Sequence, residues 1–233
     1  GGLADGNTYV GDLHLEPETA DSIEAGFDWR GESGYLRPTV FYRRVDDFIQ
    51  GVAYDATPGV IDTPVEMVSM MNGDATPLRF ANVDAEFFGV DADFGWQLSG
   101  AWRIDGVASL VRGDRRDIDE PLYRMAPARL LIDLTYEQAD WSVSLESQFV
   151  AEQDRVSATN SEQATDGYAV FGANLDWYAR DNVLVTLGIE NLSDETYERH
   201  LSGYNRVAGG DVAVGDRLPG QGRGAYARVS AAF

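Results

Sequence analysis

Apolar and polar residues alternate with period two along most of this chain. Ile23, Ala25, Phe27 and Trp29 share one phase against Ser22, Glu24, Asp28 and Arg30. Leu130, Ile132, Leu134 and Tyr136 stand against Arg129, Asp133, Thr135 and Glu137. Trp141, Val143, Leu145, Phe149 and Ala151 oppose Ser142, Ser144, Glu146, Gln148 and Glu152, and Val183, Val185, Leu187 and Ile189 oppose Thr186 and Glu190. Successive side chains of an extended backbone point to opposite sides, so this period means strands with one dry face. About nine strands are predicted, near 20–31, 34–50, 80–96, 101–112, 127–137, 141–152, 167–178, 183–192 and 222–233. The alternation leaves open whether the dry face meets lipid or a second sheet.

Connection lengths bear on that choice. The segments 31–34, 97–100, 138–140 and 179–182 are short, whereas 51–79, 113–126, 153–166 and 193–221 are long. Short turns on one rim and long loops on the other describe an up-and-down barrel in an outer membrane. The Greek-key connections of a sandwich mix lengths at both ends. Trp29, Trp96, Trp102, Trp141 and Trp177 all lie within a few residues of a short turn and on the apolar phase. An aromatic girdle at headgroup level requires that clustering, because indole has an apolar body and a polar N–H.

Composition agrees. Apolar residues at 44% and aromatics at 11% are too rich for a disordered chain. The mean hydropathy is nevertheless −0.28, and no apolar run approaches the roughly 20 residues of a membrane helix. A barrel has this profile, since its strands alternate lipid-facing and lumen-facing residues over about 10 positions. The absence of cysteine removes disulfide scaffolds, thiolate metal sites and Cys nucleophiles. The first residues, Gly1-Gly2-Leu3-Ala4-Asp5, carry no basic or apolar signal segment.

Five strings then stand in one order: Leu15-Glu16-Pro17-Glu18-Thr19, Phe41–Ile49 (FYRRVDDFI), Asn82–Asp91 (NVDAEFFGVD), Pro121–Pro127 (PLYRMAP) and Asn191–Tyr197 (NLSDETY), followed by a terminal Phe233. Together they resemble the C-terminal barrel strands of TonB-dependent outer-membrane receptors, and Ala81–Val90 and Val111–Pro127 look closest to that family's copper-receptor branch. The resemblance implies an all-β, antiparallel, up-and-down transmembrane barrel of about 22 strands, of which residues 1–233 supply the C-terminal portion. It also implies a plug domain and a segment engaging a TonB-type energy-coupling complex, both expected to lie outside this chain. The expected location is the outer membrane of a Gram-negative bacterium, with membrane lipid around the apolar face. Phe233 and Val229, in phase on the last strand, resemble the family's insertion signal for the barrel-assembly machinery. The family often has an aromatic residue where this chain has Ala231.

Charge bounds the ligand. The 39 acidic residues against 18 basic ones give −21, which argues against nucleic acid as a partner. Asp84, Glu86, Asp91, Asp93, Asp133, Asp176 and Glu190 are read as a hydrated inner wall. Met67, Met70 and Met71 fall within five positions of a long loop, and thioethers are soft ligands suited to Cu(I). The bland alternative is an apolar tuck of that loop. Arg115, Arg116 and Arg206 are candidates for an anionic ferric siderophore, and Tyr123 of the proline-flanked segment is a further ligand-binding candidate. Interleaved with Asp114, Asp117, Asp119 and Glu120, however, Arg115 and Arg116 read as salt-bridged surface. His14 and His200 lie in predicted outer loops, where a lone histidine is usually solvated; His200 is kept as a ligand candidate.

The expected function is an energy-coupled receptor for a metal or metal chelate, with no cofactor and no enzymatic site. The alternatives are an outer-membrane barrel enzyme using His200 and Asp194, and a passive porin-like barrel.

Overall fold

A computed structural model describes residues 5–54 and 77–232. These fold into eleven strands and no helix. They are β1 (Tyr9–Val10), β2 (Thr19–Gly26), β3 (Trp29–Arg30), β4 (Gly34–Ala53), β5 (Leu78–Gln97), β6 (Trp102–Arg115), β7 (Arg129–Glu137), β8 (Trp141–Val150), β9 (Tyr168–Arg180), β10 (Val183–Glu190) and β11 (Gly224–Ala231). One sheet holds them in the order β11-β10-β9-β8-β7-β6-β5-β4-β2, so each main strand pairs antiparallel with its sequence neighbour. The sheet is open: β2 and β11 stand at opposite edges, where the sequence pattern predicts them.

Two elements depart from the nine predicted strands. The first strand is divided into β2 and β3, both paired to β4. The break faces Pro38, which has no N–H to give to the ladder; Phe27 N still donates to Pro38 O at 3.2 Å. β1 pairs in parallel with β5, Tyr9 opposite Leu78, and at two residues is too short to leave a period in the sequence. β4 and β5 also extend further than expected, each over 20 residues.

The register sorts side chains onto two faces. Leu134, Leu145, Ala173, Ile189 and Ala225 form one continuous row across five strands, and Tyr136, Val143, Leu175, Leu187 and Ala227 form the next. This face is apolar and open to its surroundings: Leu145 is 41% and Leu187 48% exposed. Ile132 belongs to the same face but is half-buried by its neighbours. The opposite face carries Asp105, Asp133, Glu146 and Gly172 in one row and Asp91, Ser109, Arg129, Val150 and Tyr168 in another. Asp84 and Glu86 do not line this polar face. Glu86 stands between Arg44 and Asp114, in phase with Phe88 and Tyr42. A 20-residue strand outruns the 9–11 residues that cross a bilayer, so its ends can bear charge on both faces.

The tryptophans gather at the short-turn rim on the apolar face. Trp29 and Trp96 have ring centroids 6.0 Å apart; Trp102, Tyr136 and Trp141 follow at 4.9 and 5.6 Å, and Trp141 pairs directly across from Trp177. The small buried core lies at the other rim. There Leu122 and Met125 fold from the 116–128 loop onto Val45 and Ala85 of the polar face, beside Phe48 and Phe87.

Candidate functional site

Three connections, residues 116–128, 151–167 and 191–223, fold together at the long-loop rim over the polar face of the sheet. Beneath them lies a concave space of about 620 Å³ whose wall includes Asp91, Arg129, Gln148 and Tyr168 from four strands, and whose overhang includes Arg199 and Leu201. Lower down, Arg199 and Tyr197 border a second recess walled by Asp133, Glu146, Gln148 and Glu190. The basic residues of the chain are all arginine, and among the described residues nine of them face a carboxylate within 4 Å. Arg129 and Arg199 are exceptions. Among the described residues Arg129 Nε donates only to Ser109 Oγ, at 3.0 Å, and Arg199 is exposed with no side-chain partner. Two guanidiniums without a carboxylate partner among the described residues therefore face one hollow whose lining holds a single acid, Asp91, a surface suited to an anion.

The polar groups of the overhang are buried and paired. His200 is 4% exposed; Nε2 donates to Glu162 Oε1 and Nδ1 meets Thr165 Oγ1, both at 3.0 Å. Arg217, also buried, donates to His200 O, to Gln163 O at 3.1 Å and to Tyr204 Oη at 2.9 Å. The N-terminal segment joins the cluster through Asp5, whose Oδ2 accepts from Tyr9 Oη at 2.6 Å and Tyr123 Oη at 2.7 Å. Burial opposes the Asp5 charge, but the hydroxyl and Asn7 donors outweigh it and hold the carboxyl below its ordinary range. Burial and the same carboxylate push the Tyr9 hydroxyl up to about 12.

The candidate residues read from the sequence divide accordingly. Arg115 is locked to Asp117, with Nε 2.9 Å from Oδ1, and Arg116 bridges Asp46 at 3.1 Å and Asp84 at 3.0 Å. Both sit outside the hollow. Tyr123 serves the Asp5 cluster, and Arg206 is exposed on the tip of its loop. His200 lines the hollow but is not a solvated loop histidine; both ring nitrogens are used inside the protein. Asp194 bonds Arg223 N at 2.9 Å rather than His200, so no His/Asp dyad forms. Met67, Met70, Met71 and Phe233 lie outside the described residues, and no group of three His, Cys, Asp or Glu suited to a metal ion occurs among the described ones. Val229 is 69% exposed on the apolar face.

Of the groups missed in sequence, Arg129 was legible, since it opens β7 on the polar phase. Arg199, Glu162 and Arg217 carry no local signal, because loop folding alone brings them together.

The TonB-dependent receptor-like β-barrel model matches residues 2–192 of this chain. The chain belongs to the TonB-dependent receptor family. Among solved structures it is similar to the copper transporter OprC, with 23% identity over 96% of this chain and 34% of that one, at a TM-score of 0.80. The siderophore receptor PirA from Acinetobacter baumannii follows, with 18% identity over 97% of this chain and 33% of that one, at 0.66. The ferric yersiniabactin uptake receptor FyuA from Yersinia pestis gives 16% identity over 93% and 30%, at 0.61. The chain spans about a third of each of these structures. A comparison with curated proteins finds no match. As part of a TonB-dependent receptor barrel the chain resides in the outer membrane of a Gram-negative bacterium, its apolar face toward lipid and its polar face toward the lumen.

Proposed function

We propose that this chain supplies the lumen wall and outer loops of a receptor that binds a metal chelate outside the cell and admits it by TonB-type energy coupling. The pair Arg129 and Arg199, without a carboxylate partner among the described residues and set in a roofed luminal hollow at the long-loop rim, carries this reading. An anionic chelate presents oxygens to two guanidiniums, whereas a bare cation is repelled by them. Copper is the second reading. It rests on the donor chemistry of Met67, Met70 and Met71 and on the likeness to a copper transporter, which at 23% identity speaks to the fold. Plug, coupling complex and barrel-assembly machinery are the expected partners, the last reading Val229 and Phe233 as its signal.

Uptake by the full-length protein tests this. Cells dependent on the receptor should accumulate iron from an anionic ferric chelate, and Arg129→Gln with Arg199→Gln should raise the half-saturating concentration. Uptake of copper but not of ferric chelates, abolished by replacing Met67, Met70 and Met71 with Leu, would assign the second reading.

A further inference from the structure

Glu162 stands where the three luminal loops meet. Oε1 accepts Arg124 N at 2.9 Å from the 116–128 loop and His200 Nε2 at 3.0 Å from the 191–223 loop, while Oε2 accepts Ser157 N at 2.9 Å within its own loop. Its side chain is 3% exposed and that of His200 1%. Each pair of loops is tied a second time. Glu120 accepts Ser157 Oγ at 2.6 Å, Thr159 N at 2.8 Å and Thr159 Oγ1 at 2.8 Å. Arg217 links His200 O to Gln163 O, and Arg124 donates its guanidinium to Leu201 O.

We propose that Glu162 makes these three loops one body, so that the roof of the luminal hollow opens and closes as a unit and carries Arg199 with it. A buried carboxylate shared by three segments has this effect because no loop can leave alone. Departure of either neighbour strands part of the Glu162 charge without donors, and an unpaired buried charge costs far more than an exposed hydrogen bond returns. The long 191–223 loop has a second, independent layer: Asn205 Nδ2 donates to Val207 O at 2.9 Å and Val212 O at 2.6 Å, closing the tip upon itself. The tip can therefore fray while the base stays locked to its neighbours.

Amide hydrogen exchange on the full-length receptor in lipid distinguishes these layers. Glu162→Ala should raise opening in residues 120–125, 153–165 and 197–204 together, by about tenfold or more, with the β7–β8 hairpin unchanged. Asn205→Ala should loosen residues 203–217 alone. Should Glu162→Ala fail to assemble, Glu162→Gln, which keeps the volume and one acceptor oxygen, should show the same joint pattern at smaller amplitude. Faster exchange confined to 153–165 in the Glu162 variants would overturn the proposal. Exchange reports backbone opening whatever the ligand, so this outcome is independent of the chelate reading.

Discussion

Asn82 and Glu16 grip each other reciprocally: Asn82 Oδ1 accepts Glu16 N at 2.8 Å, and Asn82 Nδ2 donates to Glu16 O at 2.9 Å. The same amide nitrogen donates to Asp47 O at 2.6 Å. Asp47 holds a positive φ of 61° at the bulge where β4 slips against β5 between Val45 and Phe48, and Glu18 Oε1 accepts Ile49 N at 2.8 Å just beyond it. Three of the strings that resemble the family thus meet at one side chain. Their spacing serves to fasten the edge strand β2 to a bulged hairpin.

Asn82→Ala removes three hydrogen bonds, leaving the Asp47 carbonyl half-buried without its donor. The expected loss is about 1–3 kcal/mol, read by urea unfolding of the refolded full-length protein. Asn82→Asp keeps the acceptor for Glu16 N but cannot donate, and should be no more stable than the alanine variant. A wild-type midpoint for both variants would mean that these bonds merely replace water.

The sheet was legible because lipid and lumen impose alternate demands on alternate residues, and a chain spanning this many strands repeats that demand visibly. Leu145 and Leu187 face out for this reason. The luminal site was largely not legible. The interleaved charges mark Arg115 and Arg116 as salt-bridged surface, but of their partners only Asp117 is local; Asp46 and Asp84 are brought within 3.1 Å of Arg116 by the fold alone. His200 looked solvated because its partners, Thr165 and Glu162, stand 35 and 38 positions away. Loop packing follows no period, so neither Arg199 nor its roof could be inferred.

The face assignment predicts an asymmetric response to charge. Leu187 lies mid-strand on the lipid face, 48% exposed on this chain, between Leu175 and Ala227. Leu187→Arg should cost about 2–4 kcal/mol of stability in the membrane, whereas Thr186→Arg, pointing to the lumen, should cost far less. Folded fraction by heat-modifiability measures both, and equal losses would remove the lipid assignment.

Acid should loosen the loop roof before the barrel. Burial opposes ionisation of Glu120, yet Ser157, Thr159 and Arg115 outweigh it and hold the carboxyl below its ordinary 4.5, as the hydroxyl donors do for Asp5 below 3.8. A depressed folded value means the stabilisation is complete above those ordinary values and is lost as pH falls through the lowered ones. Proteolysis or exchange of residues 116–128 and 151–167 should therefore rise below about pH 4. Glu120→Gln should flatten that pH dependence while leaving β7–β10 protected. An unchanged acid profile in Glu120→Gln would exclude this carboxyl as its source.

The long loop is closed at its two ends by one residue, and that closure can be dissected. Asn191 is 3% exposed and adopts a φ of 50°, a conformation Asn tolerates better than most residues. Its Oδ1 accepts Glu195 N at 2.8 Å, and Nδ2 donates to Glu195 O at 2.9 Å and Gln221 O at 3.1 Å, joining the start of the 191–223 loop to its finish. Tyr197 then packs at a tilt of 34° against Tyr168, ring centroids 4.4 Å apart, and the absence of a side chain at Gly220 admits it, since a Cβ there would lie 2.2 Å from the ring. Asn191→Gly keeps the backbone freedom and loses only the side-chain bonds; Asn191→Ala loses both. The glycine variant should lose about 1–3 kcal/mol and the alanine variant up to roughly 1–2 kcal/mol more, measured by urea titration of the refolded receptor. Gly220→Ala should expose Tyr197 without disturbing β10. Stability of Asn191→Gly equal to wild type would show that backbone conformation, not the amide bridge to Gln221, closes the loop.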